Sequence, residues 1–275
     1  MTNKTAAARP QPYITVYERE KEGVLDGIKS YWGVRSDSYS RQNLDEMNDW
    51  RRDIWRDLIL KYAPEGETLR ILDVGTGPGF FAMNMALAGH QVTAVDVTEE
   101  MLEHAKENAQ AYGAEVKFLP YDGKRLPLRD GSFDLIISRN VLWNMEEPEA
   151  AMEEWKRVLR PGGRFVYFDA NWYLYLFDGE QKARHDRAHE RYHRLYPKMV
   201  HDQLGGEKAK YMENLALKLP LSKIRRPDWD RDVLGRIGMK LLFLHPNVGE
   251  YVWEEWEKVH YEATPLFMVC AEKEV

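Results

Sequence analysis

Apolar residues recur along this chain with two different periods. Between residues 24 and 62, Leu44, Met47, Ile54, Trp55, Leu58 and Ile59 fall at helical spacing, which predicts helices there. Pro64-Glu65-Gly66 then breaks the chain. Downstream, short apolar runs alternate with amphipathic segments. Strands are expected at 69–74, 91–97, 116–119, 133–138 and 164–169, with helices at 80–88, 99–112 and 148–159 between them. Gly113 stops the second of these helices, and Pro161-Gly162-Gly163 closes the third. Short apolar strands alternating with helices indicate a parallel sheet covered on both faces. Residues 171–237 break the rhythm: they are charged and aromatic, and read as helices inserted after the fifth strand. Strands resume at 239–244 and 266–271, joined by a segment around Trp253 and Trp256. The expected division is a tail and helical lid (1–62), a ligand-binding core (63–170), a helical cap (171–237) and final strands completing the sheet (238–275).

Composition narrows the class. The 275 residues suffice for one large core, and a formal net charge of −6 gives no global pull toward nucleic acid or an anionic membrane. The single cysteine, Cys270, lies in an apolar run. It permits neither an internal disulfide nor a cysteine-based metal site, and is expected as a buried core thiol. Residues 1–12 are polar and Ala/Pro-rich and read as a disordered tail, with no signal-peptide core. No apolar run approaches the roughly 20 residues of a membrane span. A cytoplasmic monomer or homodimer is expected.

The strongest chemical signal is Asp73-Val74-Gly75-Thr76-Gly77-Pro78-Gly79-Phe80, which leaves the first predicted strand and enters a helix. Glycines there allow a tight turn and the close approach of a ligand, and suit a nucleotide-like group. Asp96 ends the second strand 21 residues after Gly75, where a carboxylate can accept hydrogen bonds from both ribose hydroxyls. A dinucleotide pattern starting at Gly75 would want glycine where Phe80 stands. Asp73 would repel a pyrophosphate but can hold a cationic ammonium, directly or through water.

In combination, Leu72 to Gly79, Val95-Asp96, Asp122, Phe133-Asp134-Leu135-Ile136 and Leu159-Arg160-Pro161-Gly162-Gly163 resemble class I S-adenosylmethionine-dependent methyltransferases. The similarity is to the type 11 group that includes ubiquinone/menaquinone-biosynthesis-like enzymes. It covers residues 69–170, and more loosely the whole chain. The resemblance implies an α/β, Rossmann-like doubly wound seven-stranded sheet, mostly parallel with an antiparallel last strand. It also implies S-adenosylmethionine as cofactor and S-adenosylhomocysteine as product. Carried over by position, Gly75, Thr76, Gly77 and Gly79 would line the methionine and ribose portion, and Asp96 would hold the ribose. Val97 or Met101 would pack on adenine, and Asp122, beside Gly123, would accept from its amino group. Arg139 and Asn140 would lie beside the methionine end. For Asp122 a simple turn aspartate is the alternative.

Three further clusters invite roles. The segment from Tyr31 to Ser40 precedes the core, and in the enzymes it resembles such a segment folds over the cofactor. Arg35 or a hydroxyl of Tyr31 or Tyr39 would then meet the methionine carboxylate, and Tyr39 is also a catalytic candidate; the alternative is plain helix packing. Trp143, Asn171, Trp172 and Tyr175 leave carboxyl ends of strands and would face an acceptor, or else form core under the cap. Asp169 would orient the acceptor or take its proton. His185, His189 and His193 share one side of a predicted helix. His189 is a candidate base, whereas Arg184, Arg187, Arg191 and Arg194 would repel a cation, so no metal is expected. The activity implied is in-line methyl transfer to an O, N, S or C nucleophile of a small molecule. An NAD-dependent oxidoreductase and a catalytically silent S-adenosylmethionine-binding module are the rivals.

Overall fold

The computed structural model describes residues 23–198 and 206–274. The tail expected over 1–12, and His201, lie outside the described residues. Two helices lead the described chain, α1 (Val24–Met47) and α2 (Arg51–Tyr62). Then come β1 (Arg70–Val74), α3 (Phe80–Leu87), β2 (Gln91–Asp96), α4 (Glu99–Tyr112), β3 (Val116–Pro120), β4 (Phe133–Arg139), α5 (Pro148–Val158) and β5 (Leu159–Asp169). Helices α6 (Gly179–Leu195), α7 (Gly206–Ala216) and α8 (Asp228–Arg236) precede β6 (Met239–His245). Two short helices, α9 (Gly249–Val252) and α10 (Glu255–His260), lead into β7 (Phe267–Lys273).

Among the described residues the strands form one seven-stranded sheet in the order β3-β2-β1-β4-β5-β7-β6. The first five are parallel, and β7 runs antiparallel to both β5 and β6. This is the doubly wound sheet with an antiparallel last strand that the motifs imply. The strand period of two sorts the core. Leu72, Val74 and Ile136 face one apolar cluster with Trp155 of α5. Ile71, Leu135 and Ile137 face the other, with Trp55 of α2 and Phe80 and Phe81 of α3. Burial on both faces explains why these strands read as unbroken apolar runs.

Two expectations change. β5 begins at Leu159 rather than Arg164, because Leu159 already pairs with Phe133 before the chain passes Pro161-Gly162-Gly163. The register then shifts between Phe133 and Leu135. The cap expected over 171–237 also divides. α7 packs on α1, with Met212 and Leu215 against Ile28 and Tyr31. α8 instead sends Val233 and Leu234 into the main core beside Met239 of β6, so it closes the sheet rather than the cavity.

One buried ion cluster fastens this arrangement. Arg226, just before α8, is buried and pairs with both Asp169 and Asp230. Burial alone would make its cation easier to neutralise, but the two carboxylates outweigh that and hold it firmly charged. Tyr167 donates to Asp230 at 2.8 Å. Asn171 ties down the backbone of Arg226, donating to its carbonyl at 2.8 Å and accepting from its N–H at 2.9 Å. Replacing Arg226 by Met leaves two carboxylates buried without their cation. Arg226→Met should lower stability by about 3–5 kcal/mol, read as a shift in urea midpoint at constant slope; a loss under about 1 kcal/mol would refute this account.

Candidate functional site

A cavity of about 650 Å³ opens at the carboxyl ends of β1, β2 and β4. That is where the strand order reverses, the usual place for a ligand in an open α/β sheet. Its volume lies in the range of small-molecule pockets.

The floor comes from the turn after β1. Gly75 holds φ +67, and a β-carbon there would stand 2.3 Å from a methyl of Val141. Gly77 holds φ +55 and faces the Tyr39 ring, 3.5 Å from where its β-carbon would be. Both positions need glycine for conformation, and Gly75 needs it for space as well. Asp96, at the end of β2, accepts the Gly77 N–H at 2.8 Å on one oxygen and the Thr98 N–H at 2.9 Å on the other. The carboxylate also lines the cavity, where a ligand hydroxyl could meet it. Burial raises the Asp96 pKa above the usual carboxylate range, with these bonds opposing. Val97, Met101 and Gly123 line the wall beside it.

At the end of β4, Asn140 takes a left-handed conformation, φ +60. Its N–H donates to the Phe168 carbonyl at 2.8 Å. Its buried side-chain oxygen has no hydrogen-bond partner among the described residues, and neither does that of Asn144. Both residues line the cavity. Helix α1 roofs this end. Arg35 lies 5.9, 5.5 and 5.8 Å from the ring centres of Tyr31, Trp32 and Tyr39. The far end is aromatic: Trp143 lies 5.1 Å from Tyr173, and Trp172 5.4 Å from Tyr261. Tyr175 stacks on His185 at 4.1 Å and donates to Glu213 at 2.8 Å.

Of the residues singled out in the sequence, the cavity wall gathers Tyr31, Arg35, Tyr39, Gly75, Gly77, Asp96, Val97, Met101, Gly123, Arg139, Asn140, Trp143, Trp172 and Tyr175. The others stand elsewhere. Asp73 and Thr76 lie behind the turn, bonded to each other at 2.6 Å. Gly79 meets Ala105 of α4. Asp122 is exposed, and one of its oxygens accepts from both Lys124 and Arg125 N–H groups, which lowers its pKa; it is a turn aspartate. Asp169 is 1% exposed and committed to Arg226, Trp143 N–H and Ala170 N–H, so it cannot act as a base on an acceptor. Asn171 holds the backbone of Arg226. His189 is exposed beside His193, and His185 is the imidazole of α6 that reaches the wall. Arg139 lines the cavity but is ion-paired to Glu46 at 2.7 Å and lies 4.9 Å from the Phe80 ring centre. Its charge is thus already matched.

Met212, His260, Tyr261 and Thr264 also line the site. They come from α7 and the connector before β7, carry no local motif, and were not foreseen. Thr98 and Tyr121 could have been found, because they follow the carboxyl ends of β2 and β3.

Residues 72–167 match the family described as a methyltransferase domain. The chain is 31% identical to a ubiquinone/menaquinone biosynthesis C-methyltransferase of Ruegeria sp. (strain TM1040), over 62% of this chain and 68% of that protein. The chain belongs to the class I S-adenosylmethionine-dependent methyltransferase family. It is also 41% identical to a malonyl-[acyl-carrier protein] O-methyltransferase of Erwinia pyrifoliae, over 40% of each chain. Among the curated relatives it matches, the chain spans from about a third to about two thirds of their length. A SAM dependent methyltransferase structure from Aquifex aeolicus shares the fold, with a TM-score of 0.53 at 21% identity over 84% of this chain and 96% of that one. The methyltransferase core matched in this way includes the glycine turn, Asp96 and all of β4.

Asp73 supplies a pH test of the turn. Burial lifts its pKa from 3.8 to about 7, against the opposing Thr76 hydroxyl, Ala82 N–H and Arg139. The folded chain therefore keeps a proton that the unfolded chain releases near 3.8. This contribution to stability is full below that value and is lost as pH rises toward 7. Between pH 5.5 and 8, the parent protein should lose about 2 kcal/mol more than Asp73→Asn. Urea unfolding at the two pH values measures it, and equal losses would count against the assignment.

Proposed function

We propose that the protein transfers a methyl group from S-adenosylmethionine to a small-molecule acceptor. The observation that carries this reading is one cavity with two chemically different ends: a glycine floor with the Asp96 carboxylate, and an aromatic chamber with imidazoles in its wall. Bound at the first end, S-adenosylmethionine supplies an electrophilic sulfonium methyl for in-line displacement by an O, N, S or C nucleophile.

The chain's own residues hold, orient and exclude water. Asp96 accepts from the ribose hydroxyls. Val97 and Met101 pack on the adenine, and Gly75 and Gly77 leave room for the methionine portion. Arg35 offers the methionine carboxylate a cation from α1, and the Asn140 oxygen can accept from the ammonium. Tyr39 covers the floor. Trp143, Trp172 and Tyr175 sandwich the acceptor and keep the site dry, which favours a charge-dispersing displacement. His185 and His260 are the imidazoles placed to take a proton from an acceptor hydroxyl or amine. Homologous proteins named for quinone and acyl-carrier-protein methylation support a metabolite-like acceptor. An enclosed aromatic chamber and a net charge of −6 favour it over nucleic acid.

Calorimetry with S-adenosylhomocysteine tests the cofactor end. Asp96→Ala should weaken binding about 100-fold, the loss of two charge-assisted hydrogen bonds, whereas Asp122→Ala should change it less than about threefold. Equal losses, or thermal stabilisation by NADH and not by S-adenosylhomocysteine, would refute the reading. Release of labelled methyl to an extract of small metabolites, abolished in Asp96→Ala, tests the transfer itself.

A further inference from the structure

The histidines of α6 divide between two tasks. His185 belongs to the cavity wall. His189 and His193, one turn and two turns further on, are exposed and face each other, with Nε2···Nε2 at 3.2 Å. Two nitrogens bound at 2.0–2.1 Å to one tetrahedral ion stand about 3.3–3.4 Å apart. The pair is therefore already spaced for a shared ion, with no change of helix geometry.

The arginines that seemed to forbid a cation point away. At about 100° per residue, Arg184, Arg187, Arg191 and Arg194 fall about 140–160° around the helix from the centre of the histidine stripe. Arg191 is further matched by Glu262 at 2.6 Å. The two ring planes meet at 79°, so the nitrogens converge without the rings stacking.

We propose that His189 and His193 form a surface clip for a borderline divalent transition ion: copper(II), nickel(II) or zinc(II). Imidazole nitrogen selects these ions over magnesium and calcium, with copper bound most tightly. Among the described residues no group of three or more His, Cys, Asp or Glu is arranged around one ion. The clip is thus two-coordinate from the protein, with water completing the shell. It bridges successive turns of α6, whose preceding turn carries His185 against Tyr175. An ion held there steadies the helix that walls the cavity.

Nickel(II) titrated calorimetrically into the untagged full chain at pH 7.5 should bind at one site with a micromolar dissociation constant. His189→Gln and His193→Gln should each weaken it about tenfold or more, and His185→Gln less than about threefold. Circular dichroism of each variant establishes that α6 still forms, since both clip residues are exposed. No heat with nickel(II) or copper(II), or equal affinity in the His189→Gln/His193→Gln double variant, would overturn the clip. The result is independent of whether S-adenosylmethionine binds, so it stands or falls apart from the methyl-transfer reading.

Discussion

The arrangement hangs on a cation that is buried where no cation would go unaided. Arg226 brings its charge into the core beside Phe267, and two carboxylates from different parts of the chain meet it there. Asp169 ends β5, and Asp230 opens α8. A buried ion cluster is a weak source of net stability but a strong source of position, because any other packing would strand a charge. Here it locks the segment leaving the cap to the carboxyl edge of the sheet. Asp169 also accepts the Trp143 N–H at 3.1 Å, so the same cluster sets the backbone from which that indole enters the cavity. A residue with no access to a ligand thus shapes the chamber through one hydrogen bond.

The two ends of the cavity are built by different physics. The glycine end relies on backbone: two left-handed glycines, a left-handed asparagine and a carboxylate holding N–H groups. Such a surface tolerates little change, because each position is limited by conformation or by space. The far end relies on side-chain faces: Trp143 on Tyr173, Trp172 on Tyr261, and Tyr175 on His185. Aromatic walls accept many shapes at similar energy. Membership of an S-adenosylmethionine-dependent family bears on the glycine end of the cavity.

The fold was legible because its strands are buried on both faces, and a run such as Leu135-Ile136-Ile137 has no other use. The placement of Asp96 and the glycine turn at the cavity was legible because it follows from local sequence. Asp169 was misread for a physical reason: its place at a strand's carboxyl end suggests a ligand, but its partner Arg226 lies 57 residues away and nothing local announces it. At Asp122 the structure shows the turn that stood as the alternative to an adenine contact, since a turn and a site can use the same Asp-Gly pair. The contribution of Met212, His260 and Tyr261 was invisible, since it depends on how α7 and the last connector drape over the sheet. The arginines weighed against a metal at the histidine stripe fall on the opposite side of α6.

Helix α1 touches both halves of the cavity at once. Near its carboxyl-terminal half Tyr39 lies over Gly77, while near its start Ile28 and Tyr31 pack with Met212 and Leu215 of the cap. A rigid rod spanning both compartments cannot lift from one without disturbing the other. The glycine floor and the aromatic end are therefore covered by one element, and the packing of α1 on α7 bears on how closely both are covered.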